Sequence, residues 1–155
     1  GRAADYVATV IKTYREAIDS YYEGTFTKEK INIWMEALAT VYNRGFWSGY
    51  YLGQKLGEWS DNPGSNATQK KVYVGKGMHA LPISSIAEFK IEAYDIKKGD
   101  KILITGPSTG AQELILEDFF VNDATSEKAT KGDSCTLKVP FRIRLSDKMY
   151  KIVEN

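Results

Sequence analysis

Apolar residues in the first sixty positions recur in steps of three and four, the spacing of one face of an α-helix. A first helix is predicted over residues 7–21, and Gly24 follows it as a residue suited to a left-handed C-terminal cap. Thr25 or Thr27 is suited to cap a second helix, whose apolar positions run over residues 31–42. The apolar face of the first helix consists of Val7, Val10, Ile11, Tyr14, Ile18 and Tyr21.

Glycines recur at every fourth position from Gly45 to Gly57, through a stretch rich in aromatic residues. We expect Gly45 to end the second helix. The later glycines would align on one face of a helix, or they would break the segment into turns. We interpret the segment as a short or irregular helix that packs under aromatic rings.

The pattern becomes extended after a loop at residues 60–69, which is rich in Ser, Asn, Pro and Gly. The segments that follow are rich in Val, Ile, Phe and Tyr and are bounded by Gly, Pro and Asp, as strands are. Predicted strands are 71–78, 86–95, 101–106, 111–121 and 134–144. Apolar runs such as Ile102-Leu103-Ile104 favour strands covered on both faces or a closed barrel. The sequence therefore predicts an α+β fold, with a helical segment at 1–60 and a small antiparallel β-barrel at 70–155.

The tripeptide Lys-Gly-Asp occurs at residues 98–100 and again at 131–133, each time before a predicted strand. Glycine supplies the positive φ that a tight turn requires, and aspartate bonds to nearby backbone amides. We interpret both copies as structural turns rather than as metal or anion loops.

Composition excludes several functional classes. The 21 Lys and Arg residues against 20 Asp and Glu leave a net charge of +1, which gives no electrostatic signature of a nucleic-acid or membrane-surface protein. A single cysteine and a single histidine exclude an internal disulfide and a Cys/His zinc cluster. The chain has no apolar run long enough to cross a bilayer and does not begin with the apolar core of a signal peptide. A chain so poor in thiols suggests a reducing compartment, and we expect a cytoplasmic location.

Three stretches, taken in order, resemble the C-terminal region of the collagenase-like peptidases, peptidase family U32. Gly1-Arg2 and the segment 6–19 resemble the family's Glu-Gly-Arg segment and the helix after it. Residues 43–50 are similar to its His-Arg-Gly-aromatic motif, with Asn43 in place of the histidine. Val74-Gly75-Lys76 and the segment 96–104 resemble its C-terminal barrel, which is itself similar to the second domain of elongation factors.

The resemblance implies that the chain follows a larger N-terminal catalytic domain, with residues 1–60 as the tail of that domain. It implies a noncatalytic accessory region, without a cofactor of its own, that positions a protein or RNA substrate for a peptidase. Two alternatives stay open. The chain is a structural or assembly module, or it is part of an RNA-hydroxylation enzyme, since other family members are implicated in hydroxylation of tRNA or ribosomal RNA.

Candidate binding residues form two groups. Arg44 would hold a carboxylate or phosphate over an aromatic floor of Phe46, Trp47, Tyr50 and Tyr51, and Arg2 is a further candidate substrate-binding residue. In the alternative, Arg44 caps the carbonyls at the end of the second helix and the aromatic residues fill a core. The second group is Arg142 and Arg144, which share one face of a predicted strand and would contact RNA.

The sequence does not support catalysis by Cys135 with His79. No third residue stands at a spacing that would mark it as the partner that orients the histidine, and no glycine loop is present that would form an oxyanion hole. We interpret Cys135 as a small core residue of a strand and His79 as a solvated histidine. The apolar stripe of the first helix has two possible partners, the second helix with the aromatic stretch or the same stripe of another copy. The second possibility predicts a homodimer.

Overall fold

The computed structural model of the protein describes residues 1–47, 49, 53, 64–81 and 85–155. These residues form two compact units, the first built mainly from residues 6–70 and the second mainly from residues 71–154. The first unit carries two helices, α1 (Ala4–Tyr22) and α2 (Lys28–Ala39). The second unit carries ten strands, β1 to β10 in chain order.

The connection between the helices follows from the predicted capping residues. Gly24 adopts a φ of +68°, and Thr25 N donates to Ser20 O at 2.9 Å, so the chain leaves α1 through a left-handed cap. The Thr27 hydroxyl accepts a hydrogen bond from Lys30 N, which identifies Thr27 as the N-cap of α2. Both helices and the cap at Gly24 are therefore confirmed.

The side of α1 that is most buried differs from its most apolar stripe. Its buried residues are the small polar Thr13 and Ser20. Most of the apolar stripe is exposed, with relative accessibilities of 40% for Val7, 63% for Ile11, 60% for Tyr14, 48% for Ile18 and 71% for Tyr21. These five residues are therefore not fully covered within the chain, and pairing with the same stripe of another copy stays a prediction.

The second helix ends earlier than predicted. Thr40 is its C-cap, and the Thr40 hydroxyl donates to Ala37 O at 2.7 Å. Threonine ends helices in this way because its hydroxyl competes with the backbone for the last carbonyls. Gly45, Gly49 and Gly53 all have positive φ, between +68° and +93°, which a right-handed helix does not allow. The glycine repeat therefore marks turns among the described residues, while Gly57 lies outside them.

Eight strands form one sheet in the order β5-β4-β10-β1-β2-β9-β6-β7, and β3 pairs with β8 in a second, two-stranded sheet. Adjacent strands pair antiparallel in β1–β2, β2–β9, β4–β5, β4–β10, β6–β7 and β6–β9. The strands are β1 (Gln69–Leu81), β2 (Ile86–Ile91), β3 (Ile96–Lys97), β4 (Lys101–Gly106), β5 (Gly110–Ile115), β6 (Phe119–Val121), β7 (Ala124–Ser126), β8 (Lys128–Ala129), β9 (Ser134–Lys138) and β10 (Lys148–Glu154).

The α+β class is confirmed, and several strand boundaries are corrected. Strand β4 has the predicted bounds, and Ile102, Leu103 and Ile104 are all buried in it, as a strand covered on both faces requires. The predicted strand 111–121 is two strands, because the chain leaves the sheet at Leu116 and returns at Phe119. The predicted strand 134–144 ends at Lys138, two residues before Pro140, which cannot donate to a strand ladder. Strand β10 was not predicted.

The described strands run from β5 at one edge of the large sheet to β7 at the other, so the sheet is open in the part of the chain that the structure describes. Closure into a barrel stays a prediction. The core of this unit contains Val74, Phe89, Ile102, Phe119 and Met149, all completely buried. None of the helices in the described ranges is both long and apolar enough to cross a membrane.

Three tight turns that precede strands of this unit are closed by the same pair of hydrogen bonds. In each turn an aspartate N–H donates to the carbonyl three residues earlier, and the aspartate carboxylate accepts from the N–H of that same residue. The aspartates are Asp100, Asp133 and Asp147. The two Lys-Gly-Asp copies are therefore structural turns as predicted, with Gly99 at a φ of +88° and Gly132 at +101°.

Candidate functional site

Asn43 organises the loop that follows α2. Its side-chain Nδ2 donates to Val41 O at 2.9 Å, and its Oδ1 accepts from Gly45 N at 3.1 Å. Its backbone carbonyl accepts from Asn66 N at 2.8 Å. These three bonds hold the loop on both sides of Asn43, and thereby fix the positions from which Tyr42 and Arg44 project.

Tyr42 lies between two guanidinium groups. The Arg2 guanidinium carbon lies over the Tyr42 ring, 4.1 Å from its centroid, and is also 5.7 Å from the centroid of the Tyr6 ring. Arg44 Nε donates to the Tyr42 hydroxyl at 3.1 Å. Arg44 therefore donates to the phenol of Tyr42. The structural alternative expected Arg44 to bond the carbonyls near the end of α2, and Asn43 has that role instead.

The electrostatics of this group are those of an anion site. The hydrogen bond from Arg44 lowers the pKa of Tyr42, and the charges of Arg44 and Arg2 act in the same direction. No carboxylate in the described ranges lies within ion-pairing distance of either guanidinium. Two cations thus stand close together without a neutralising acid among the described residues.

These side chains line an open pocket of about 480 Å³, which we name the arginine pocket. Arg2 and Arg44 are the charged residues that line it in the described part of the chain; the other lining residues are apolar, aromatic, glycine or the amide Asn43. Phe46 and Trp47 lie at the pocket and are about half exposed, at 48% and 51%. The remaining lining residues are Tyr6, Val10, Tyr14, Met35, Leu38, Val41, Tyr42 and Gly45.

Three of the residues predicted to bind substrate, Arg2, Arg44 and Phe46, therefore meet in one pocket. Tyr50 lies outside the described residues. The sequence reasoning missed Tyr42, which it placed on the apolar face of the second helix. The available signal was the order Tyr42-Asn43-Arg44, in which an asparagine that bends the backbone brings its two neighbours to one site.

Arg142 and Arg144 belong to the other unit and lie after β9 rather than on a strand. Both are exposed, while Ile143 between them is buried, and the strand that was predicted to carry them is wrong because the chain there is not part of the sheet. Arg144 Nη1 donates to Thr109 Oγ1 at 3.4 Å. Arg142 borders a small groove of about 140 Å³ beside Phe141 and Pro140.

Cys135 is completely buried in β9, opposite Phe89 of β2. Burial raises the pKa of its thiol to about 12, so the thiol is protonated at neutral pH and is a poor nucleophile. His79 pairs with Glu88 in the same sheet. The structure shows no group of three or more His, Cys, Asp or Glu side chains that is arranged to hold a metal ion within the ranges it describes.

Residues 1–61 match the model of peptidase family U32. This segment contains every described residue of the arginine pocket. Over 150 residues, 97% of this chain and 36% of the relative, the sequence is 49% identical to a protein of Porphyromonas gingivalis named collagenase. Residues 1–61 of the chain belong to peptidase family U32.

The similarity extends to a relative of lower sequence identity. An uncharacterized protease of Methanocaldococcus jannaschii is 33% identical over 159 residues, which cover 99% of this chain and 39% of that protein. The C-terminal domain of a Geobacillus thermoleovorans U32 peptidase aligns with 51% of this chain and 90% of its own, at 18% identity and a TM-score of 0.48. This chain spans 36% to 42% of the length of the curated relatives it matches.

Proposed function

We propose that this chain is an accessory region of a U32 peptidase that positions a protein substrate and is not itself catalytic. The arginine pocket carries the proposal, because two guanidiniums converge on Tyr42 in an open pocket bordered by exposed Phe46. Such a pocket offers both charge and ring surface to a polypeptide. The relatives named collagenase support protein as the substrate class.

The buried thiol supports a noncatalytic role. Cys135 is the chain's single cysteine, and its thiol is protonated at neutral pH and sealed inside the sheet. A nucleophilic cysteine requires access to substrate and an environment that lowers its pKa. In this proposal the chemistry belongs to another part of the parent protein.

RNA is the second candidate substrate, and the second unit favours it. Arg142 and Arg144 are both exposed, and the partly buried Phe141 directly precedes Arg142 in the chain. In this alternative the large sheet closes into a barrel that is similar to the second domain of elongation factors. The near-neutral net charge of +1 argues for the protein substrate, because affinity for RNA comes mainly from many cations along the phosphate backbone.

The test measures binding of the 155-residue chain to immobilised casein, gelatin and bulk tRNA by biolayer interferometry. We expect binding to at least one of the proteins and a loss of about tenfold or more in affinity for an Arg2→Gln, Arg44→Gln double variant. Arg15→Gln is the matched control, because Arg15 is exposed on α1 and paired with Asp19 outside the pocket.

The outcomes separate the three candidate functions. Preferential binding of tRNA, lost in an Arg142→Gln, Arg144→Gln variant and kept in the pocket variant, favours the RNA alternative. Absence of binding to all three favours a structural module. Gelatin cleavage by the chain alone, abolished by Cys135→Ala, contradicts the noncatalytic assignment.

A further inference from the structure

We propose that the arginine pocket recognises a carboxylate group of a peptide, a proposal that rests on the substrate-positioning function above. The function requires only that the pocket contact substrate. The further step assigns the chemical group that is recognised, and it follows from the charges, the free donors and the apolar lining of the pocket.

The ligand must carry negative charge. Arg2 and Arg44 both border the pocket, and no described carboxylate neutralises them. Like charges held close to one phenol repel each other, and an anion between them relieves that repulsion. The hydrogen bond from Arg44, with the charges of both arginines, lowers the pKa of Tyr42, as is expected where positive groups surround one oxygen.

The donors that remain fit a planar oxyanion. Arg44 uses Nε for the Tyr42 hydroxyl, so its terminal Nη groups keep their donors for a ligand. The guanidinium carbon of Arg2 lies 4.1 Å from the centroid of the Tyr42 ring, so a second guanidinium group stands beside the same phenol. Two guanidinium groups close to one phenol suit a carboxylate, which arginine binds with paired hydrogen bonds.

The lining favours a carboxylate on a peptide over a phosphate of a nucleic acid. Apart from the two arginines, the described lining contains no charged residue, and it includes the apolar side chains of Val10, Leu38 and Val41. The strongly hydrated phosphodiester of a nucleic acid gains little from such walls, whereas a peptide carboxylate brings apolar chain atoms with it. A phosphate backbone is also bound through a series of cations, and this pocket has two.

The experiment uses unlabelled, N-acetylated ten-residue peptides and the 155-residue chain, with isothermal titration calorimetry as the readout. One peptide carries glutamate side chains and an amidated C-terminus, a second has glutamine at those positions and a free C-terminal carboxylate, and a third has neither carboxylate. We expect at least tenfold tighter binding of one carboxylate peptide than of the neutral one. The first two peptides show whether a side-chain or a terminal carboxylate is preferred.

Variants and competitors complete the test. Arg44→Gln should remove the preference, Arg44→Lys should keep part of it because the charge remains without the planar fork, and Arg15→Gln should leave it unchanged. Acetate should compete better than inorganic phosphate at equal ionic strength. Equal binding of all three peptides, or stronger competition by phosphate, overturns the carboxylate assignment. If casein or gelatin still binds through the pocket in that case, the positioning function stands alone.

Discussion

Ser146 adopts, in the turn before β10, the left-handed backbone conformation that Gly132 adopts in the turn before β9. The φ of Ser146 is +67° and that of Gly132 is +101°. In both turns the next residue is an aspartate whose carboxylate accepts from the backbone N–H three residues earlier, Arg144 or Thr130. A left-handed conformation is strained for serine and free for glycine.

We therefore expect Ser146→Gly to raise the free energy of unfolding by about 0.5–1 kcal/mol, since relief of the strained φ outweighs the added backbone freedom of the unfolded chain. Chemical denaturation of wild type and variant measures the difference. Ser134→Gly is the control, because Ser134 lies in β9, where glycine weakens a strand. Destabilisation by Ser146→Gly would show that the serine side chain stabilises the fold by more than the strain of its positive φ destabilises it.

The three related turns show what the sequence can and cannot reveal. Two copies were readable as Lys-Gly-Asp, because glycine marks the positive φ. The third copy, Arg144-Leu145-Ser146-Asp147, keeps only the aspartate, so its turn and the strand β10 behind it went unpredicted. Glycine in a short polar turn is a readable signal for a left-handed residue, and its absence does not exclude one.

The helices were predictable from period and caps, whereas the buried side of α1 was not. A 3.6-residue apolar period indicates a helix, and the usual assumption is that the apolar stripe faces the core. Here the side chains buried on α1 are Thr13 and Ser20. Ser20 receives hydrogen bonds there, as from Lys30 Nζ at 3.1 Å, so the burial of this polar residue is compensated locally.

The candidate site was partly predictable. Arg2, Arg44 and Phe46 were selected from motif resemblance and residue type, and they do share a pocket. Tyr42 was assigned to a helix because nothing in its own side chain distinguishes a helical tyrosine from one in a loop. The helix ends at Thr40, whose hydroxyl donates to Ala37 O, so Tyr42 lies in the loop that follows the helix.

We expect Tyr42 to titrate at a lower pH than an ordinary tyrosine and Tyr73 to titrate at a higher pH. The bond from Arg44 lowers the pKa of Tyr42, whereas donation of its hydroxyl to Glu92 at 2.6 Å, together with burial, raises the pKa of Tyr73 to about 12. NMR titration of 13Cζ-labelled tyrosine, assigned with Tyr42→Phe and Tyr73→Phe, measures both. Titration of Tyr42 after Tyr73 would contradict the two hydrogen bonds.

The same shift predicts a dependence of stability on pH. The pKa of Tyr73 is raised above its ordinary value of 10.0, so its contribution is complete below about pH 10 and is lost as the pH rises toward 12. Tyr73→Phe should therefore flatten the fall in unfolding free energy over that interval. Tyr94→Phe is the control, because Tyr94 is 58% exposed. An identical alkaline fall in wild type and Tyr73→Phe would show that other groups cause it.

Cys135 should resist thiol reagents in the folded protein. Its side chain is fully buried and its pKa is raised to about 12, so both access and thiolate are lacking at neutral pH. We expect reaction with 5,5′-dithiobis(2-nitrobenzoate) to proceed only as fast as the protein opens, and to be rapid in 6 M guanidinium chloride, roughly the range in which even very stable domains unfold. Rapid labelling without denaturant would place the thiol at the surface.

The exposed stripe of α1 leads us to expect reversible self-association. Val7, Ile11, Tyr14, Ile18 and Tyr21 are between 40% and 71% exposed on one side of the helix. Burial of one such side chain is worth about 1.5–3 kcal/mol, so the same stripe on a second copy is a favourable partner. Sedimentation equilibrium should show a concentration-dependent mass for wild type and a monomer for an Ile11→Lys, Ile18→Lys variant.

The control for this prediction is Glu16→Lys, which adds positive charge at an exposed position of the same helix outside the stripe and removes only a surface pair with Lys12 at 4.0 Å. It should associate as wild type does. A wild-type chain that stays monomeric at millimolar concentration contradicts the homodimer. Because the stripe would then face water in this chain, that result would favour a partner other than a second copy.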